Sequence, residues 1–277
     1  MSKIKTAIIT CATAIAVASC AQKSAESGQT KTLVLYYSQT GATKAVAEEL
    51  QNRLGADIDS IVCMEPYSGT YDETIARCQR EMEGDILPEI MDIGVDISKY
   101  DTIFIGYPVW FGTYARPMLS FIKSAKLDGK VIVPFCTFGS GGLNSTSDAL
   151  KADQPRATVL PGYGVRNARI GSMPAELDRF LKENGFVEGE MAPLDPYSEQ
   201  KAVTEEEMNI FDEACGDYQF PLGTPVTVGS RTTEYGTEYM YMVTGRGMDG
   251  NEVASVIYVI VPEGGRPEFT QVVRSPA

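Results

Sequence analysis

The chain has 277 residues, 43% hydrophobic and 22% charged, with a formal net charge of −13 and no histidine. That length leaves room for more than one packed unit, and the acidity argues against nucleic acid as a partner. The lack of histidine excludes Ser-His-Asp triads, histidine-ligated zinc and histidine proton relays.

Met1 to Ser19 carries Lys3 and Lys5, then an apolar stretch from Ala7 to Ala18, and no acid. It is too short for a standard membrane span and reads as a signal peptide. Val17-Ala18-Ser19 before Cys20 resembles a bacterial lipobox, which implies that Cys20 is lipidated and becomes the new N-terminus. A non-lipidated signal peptide is the alternative. Residues 20–30, rich in Ser, Gln, Gly and Lys, read as a disordered tether. The mature chain is then expected outside the cytoplasm, held to a bacterial membrane by its lipid.

Thr32 to Tyr37 reads as a buried parallel strand, and Val46 and Leu50 mark one face of the helix that follows. Between them lies Ser38-Gln39-Thr40-Gly41-Ala42-Thr43. A helix start offers free N–H groups and a positive dipole end, and three hydroxyls add donors without charge. The segment lacks the patterns of triphosphate and dinucleotide loops and suits a monophosphate dianion. An ordinary turn with a Ser/Thr cap is the alternative.

Two further buried strands open into notable loops. Thr102 to Tyr107 leads to Pro108-Val109-Trp110-Phe111-Gly112-Thr113-Tyr114, which holds the only Trp of the chain. Its place after a proline and between Gly106 and Gly112 reads as an exposed loop, with core aromatics as the alternative. Val131 to Thr137 leads to Phe138-Gly139-Ser140-Gly141-Gly142. In open parallel sheets, ligands sit beyond the carboxyl ends of the strands.

Ser38, Thr40, Gly41 and Thr43 fill the (S/T)-x-T-G-x-T phosphate loop of the flavodoxin family, which residues 31–187 resemble. The resemblance implies FMN as cofactor and a doubly wound, five-stranded parallel sheet. It assigns Ser38, Gln39, Thr40, Gly41, Ala42 and Thr43 to the phosphate. It gives Pro108, Val109, Trp110, Phe111, Gly112, Thr113 and Tyr114 to one ring face, with Trp110 and either Phe111 or Tyr114 as the cover. Thr137, Phe138, Gly139, Ser140, Gly141 and Gly142 would line the polar edge. Gly112 falls where the family places a flexible peptide beside the ring. A negative field of this size favours low flavin potentials.

Strands are expected near 32–37, 58–63, 102–107, 131–137 and 157–161, with helices near 42–54, 71–84, 115–124, 145–152 and 173–184. Tyr67, Tyr71, Arg77, Arg80 and Glu81 lie in the second crossover, where a solvated helix face explains them as well as a role at the site does. Cys63, Cys78, Cys136 and Cys215 have neither CxxC spacing nor the density of a disulfide scaffold and read as buried thiols, a Cys63–Cys78 bridge being the alternative.

Residues 188–203 read as a linker, and residues 204–277 as a second, α+β unit. Thr204-Glu205-Glu206-Glu207 caps a helix to about Ala214, followed by β runs at 226–233, 237–244, 253–261 and 269–273. One helix with four antiparallel strands resembles a cystatin-like arrangement. The 232–239 hairpin departs from the inhibitory motif at its Gln and Val positions, so protease inhibition is not implied.

Three functions compete. The first is an FMN lipoprotein carrying electrons between redox partners or to a small acceptor. The second is a flavin-dependent reductase of quinones or similar molecules. The third is a binding module that has lost its flavin.

Overall fold

The computed structural model describes residues 31–139, 142–218, 220–246 and 250–274. The signal peptide, Cys20 and the tether lie outside the described residues, as do Ser140 and Gly141 of the third loop.

The first unit alternates strand and helix. Its elements are β1 (Thr32–Tyr36), α1 (Ala42–Leu54), β2 (Asp57–Ser60), α2 (Tyr71–Glu83), β3 (Thr102–Trp110), β4 (Thr113–Tyr114), α3 (Arg116–Ser124), β5 (Val131–Phe138), α4 (Leu143–Asp153), β6 (Thr158–Val159), β7 (Tyr163–Arg166) and α5 (Met173–Glu183). The parallel sheet runs β2-β1-β3-β5-β6, with β7 continuing the edge beside β5. Strand order reverses at β1 and β3, so their carboxyl ends form the crevice expected of a doubly wound sheet.

Both faces of the sheet are covered, so the strands are apolar throughout yet still sort by a period of two. Leu33, Leu35, Ile103, Ile105 and Tyr107 pack with Met118, Phe121, Ile122 and Leu150 on one side. Val34, Phe104, Val133 and Phe135 pack with Val46, Leu50, Leu177 and Leu181 on the other. Every one of these side chains is at most 3% exposed, so each layer excludes water.

The fifth strand differs from expectation. It is split into β6, beside Val131 and Ile132, and β7, beside Phe135 to Phe138. Pro134 sits in the gap and has no N–H to donate, so the partner strand bulges past it, setting three residues, 160–162, against two of β5 before pairing resumes. β3 also runs three residues further than expected, to Trp110.

The second unit packs α6 (Glu205–Cys215) on a sheet ordered β12-β11-β10-β9-β8, comprising β8 (Lys201–Ala202), β9 (Thr224–Thr233), β10 (Gly236–Arg246), β11 (Glu252–Val261) and β12 (Glu268–Arg274). Phe211 and Cys215 of α6 meet Val228, Tyr241, Val243, Ile257, Val259 and Phe269. β8 falls within the stretch read as linker. It pairs with Thr227 and Val228, and just before it the Ser198 N–H donates to the Ser230 carbonyl at 2.8 Å.

Candidate functional site

The segment after β1 turns through Gly41, whose φ of 96° is the left-handed region that favours glycine. Gly41 is the N-cap of α1, with no side-chain cap and no acid in the first turn. The N–H groups of that turn therefore have no side-chain cap. The Ser38 hydroxyl receives the Gly41 N–H at 3.2 Å and shapes the loop. Thr40 is exposed at its tip, and Ala42 is half-buried as the first helical residue.

Two of the expected phosphate ligands hold the frame instead. Thr43 is buried, and its hydroxyl lies 2.8 Å from the Thr137 hydroxyl, tying the start of α1 to the end of β5. Gln39 accepts from the Tyr37 hydroxyl at 2.6 Å and donates to the Tyr67 carbonyl at 2.6 Å.

The segment from Pro108 to Tyr114 is a tight hairpin, not an open loop. β3 pairs with β4 through Val109↔Tyr114 and Trp110↔Thr113. Phe111 and Gly112 form its two-residue tip with φ of 49° and 77°, the signs of a type I′ turn. Asn-Gly is the usual choice there, so Phe111 holds a conformation a bulky side chain seldom adopts. Phe111 is 46% exposed, free to cover something.

Trp110 is half-buried, edge-on to Tyr37 at 5.8 Å and to Tyr67 at 5.2 Å. The Gly112 carbonyl accepts from the Ser145 hydroxyl at 3.0 Å, while Pro108, Val109 and Thr113 are half-buried around it. Tyr114 corrects the expectation of an alternative ring cover. It is 2% exposed, packs edge-on to Tyr107 and donates its hydroxyl to Asp153. It points into the core because alternate residues of a strand face opposite ways.

The third loop divides likewise. Thr137 and Phe138 are buried in the frame, Thr137 through its hydroxyl bond to Thr43. Gly139 is exposed and Gly142 half-buried, on the two sides of the residues not described.

A pocket of about 440 Å³ lies against the first loop, lined by Tyr36 to Gln39, Gly41, Lys44, Ser60 to Cys63, Pro66 and Tyr67. Its far wall comes from the second crossover, where Tyr67, Arg77 and Glu81 form a network in place of a solvated face. Tyr67 is buried, the Arg77 guanidinium stands 3.9 Å from its ring centroid, and its hydroxyl donates to Glu81. Arg77 Nε donates to the same carboxylate at 2.8 Å. Burial and the Glu81 carboxylate push the Tyr67 phenol well above its ordinary pKa, so it stays a neutral donor. The signal for this network was present in Arg77 and Glu81, one helical turn apart.

Tyr71, by contrast, is 79% exposed and Arg80 is also solvated, as a plain helix face. Cys63 lines the pocket, but burial raises its thiol to about 11, so it is not a nucleophile at neutral pH. All four described cysteines are free and buried. Among the described residues, no cluster of three or more potential metal ligands occurs.

The residues present fit a flat ligand with a phosphate. An uncapped helix start and exposed Thr40 are available to an anion, and Tyr37, Tyr67 and Trp110 form an aromatic cluster near them.

Over 127 residues the chain is 34% identical to NAD(P)H dehydrogenase (quinone) 3 of Rhizobium meliloti, covering 42% of this chain and 58% of that protein. The chain thus spans little more than half of that relative's length. A candidate flavoprotein from Bacteroides eggerthii is 32% identical, with a TM-score of 0.47 and coverage of 54% of this chain and 96% of that one. A Lactobacillus acidophilus flavoprotein solved in complex with FMN is 23% identical, with a TM-score of 0.45 and coverage of 54% and 97%. The sequence model of the flavodoxin family matches residues 31–176, more than half of the chain, and this chain belongs to that family of FMN-binding flavoproteins.

Proposed function

We propose that the chain holds FMN at the carboxyl ends of β1, β3 and β5 and carries electrons between redox partners outside the cytoplasm, tied to a bacterial membrane through Cys20. The observation that carries the FMN assignment is the start of α1, where Gly41 leaves the first-turn N–H groups without a cap or an acid. The N–H groups of Ala42 and Thr43 and the Thr40 hydroxyl would hold the phosphate, each such charge-assisted bond contributing about 1.5–3 kcal/mol. Trp110 and Phe111 would cover a ring face and exclude water, and Gly139 and Gly142 would lie along its polar edge. When bound, FMN supplies a group that takes up and releases electrons one or two at a time. Among the described residues no histidine or metal cluster stands ready for substrate chemistry, which favours a carrier over a hydrolytic or metal-dependent role.

The visible absorbance of the purified mature protein, titrated with FMN and then with riboflavin, tests the assignment. Tight FMN binding and much weaker riboflavin binding are expected, and equal affinities would overturn the phosphate site. For the anchor, fatty-acid labelling of the parent and of Cys20→Ser is decisive. Equal label on both would remove the lipid leash.

A second reading is flavin-dependent quinone reduction, favoured by the likeness to the Rhizobium meliloti quinone dehydrogenase. Steady turnover of the FMN-loaded protein with NAD(P)H and a quinone would favour it over the carrier.

A further inference from the structure

The two units meet along β7, α5 and the turn between them, through ion pairs, hydrogen bonds and ring contacts. Arg169 is bound by Glu176 and by Glu268 of β12, the latter at 2.9 Å. Arg179 is bound by Glu183 at 2.7 Å and by Glu234 of the β9–β10 turn at 3.1 Å. The Tyr235 hydroxyl donates to the Ala175 carbonyl at 3.2 Å. A cleft of about 470 Å³ lies between the units, but Arg169, Arg179 and Arg231 in its lining are already held by carboxylates. It offers a ligand no open charge.

Arg166, the last residue of β7, is different. Its Nε donates to the Gly139 carbonyl at 3.0 Å, and its Nη1 donates to the Phe269 carbonyl of β12 at 3.0 Å. The guanidinium stands 4.4 Å from the Phe269 ring centroid and 5.6 Å from that of Tyr218. No carboxylate among the described residues pairs with it, and burial works against its charge. An arginine half-buried without a counter-ion is held for its geometry: two fixed donors aimed at carbonyls in different units, and flat faces that stack on rings. A lysine has the charge but lacks the planar fork.

We propose that Arg166 is a positioning residue through which the C-terminal unit sets the Gly139 end of the cofactor loop, so that FMN retention depends on β12, which lies outside the flavodoxin sheet. This rests on the FMN site proposed above. The coupling is reciprocal: if β12 steadies the loop for FMN, bound FMN must steady β12 by the same free energy. The Arg169–Glu268 ion pair, just before α5, keeps β12 docked, so the clamp has a fixed far end.

Hydrogen exchange on the full chain, with and without FMN, tests this. In the parent, FMN should slow exchange in residues 38–43 and also in residues 268–274. In Arg166→Met at saturating FMN, residues 38–43 should be protected while 268–274 no longer respond, and the FMN dissociation constant should rise at least tenfold. Arg166→Lys should not restore either. Phe269→Leu, which keeps the carbonyl and removes the stacked ring, should weaken FMN at least threefold and serves if Arg166→Met does not fold. Protection of 38–43 without 268–274 in the parent, or a parent-like dissociation constant in both variants, overturns the clamp. Absence of protection at 38–43 in the parent overturns the FMN site itself, and the clamp falls with it.

Discussion

The helices α1 and α6 begin in opposite ways. At α6 the chain closes its own end. The Thr204 hydroxyl accepts the Glu207 N–H at 3.3 Å, the Glu207 carboxylate accepts the Thr204 N–H at 3.0 Å, and three glutamates fill the first turn. α2 repeats the device with Thr70 and Glu73. At α1 a glycine in the left-handed region takes the cap position, with no side-chain partner and no acid. A capping box is worth about 1 kcal/mol, and its absence leaves polar groups whose only remaining partners are water or a ligand. Where the chain completes its own hydrogen bonds it is building structure. Where it leaves them open beside a pocket, as at α1, an anion can serve as their partner. The hairpin tip follows the same logic, with Phe111 held at φ 49° next to the site.

The comparison breaks most visibly at Gly41. Gly41→Val puts a β-branched residue at φ 96°, at a cost of about 1–2 kcal/mol, and disturbs the N–H groups aimed at the phosphate. A rise in the FMN dissociation constant of tenfold or more is expected, equivalent to about 1.4 kcal/mol, together with a lower thermal midpoint. A dissociation constant within twofold of the parent would mean the open helix start is not the phosphate site.

Ala42→Asp sharpens the contrast because its two effects oppose each other. A carboxylate in the first turn of α1 should stabilise the apoprotein by about 0.3–1 kcal/mol, as the glutamates of α6 do. The same charge should repel the phosphate and weaken FMN severalfold. If melting and FMN titration fall together, the acid has simply damaged the helix. Thr204→Ala is the matching change at the closed end. It should cost about 1 kcal/mol of stability in denaturant unfolding and leave FMN affinity unchanged.

Much of this was legible in the sequence. The alternation of apolar runs and amphipathic segments placed α1 to α5 and the parallel strands, because both periodicities are local. The departures trace to interactions across the fold. Pro134 splits the edge strand through a donor that β5 cannot offer; Pro161-Gly162 in the gap signals a break locally, but only the pairing across to β5 shows that the strand resumes beyond it. Tyr114 looked like a ring cover because Trp110 and Phe111 are near in sequence. Strand alternation, set only once β4 pairs with β3, turns it into the core. Thr43 and Thr137 each look like ligands, yet they spend their hydroxyls on one another across 94 positions of sequence. Arg166 carried no motif at all, since its meaning lies in two carbonyls, one 27 residues before it and one 103 after it.

The smallest expected effect lies at the hairpin tip, where stability and binding should again part. The Phe111 backbone adopts the first position of a type I′ turn, which asparagine tolerates far better than an aromatic residue does. Phe111→Asn should therefore raise the thermal stability of the apoprotein, by about 0.5–1 kcal/mol. Phe111 is 46% exposed, so losing its ring removes little packing from the core. With Tyr114 buried, Phe111 is the aromatic left beside Trp110 to cover a ring face, and its loss should weaken FMN a few-fold. Riboflavin should weaken by the same factor, because the contact is to the ring and not to the phosphate. A variant that is both more stable and unchanged toward both flavins would show that Phe111 sits in a strained turn for some other purpose, and Trp110 would then carry the ring face alone.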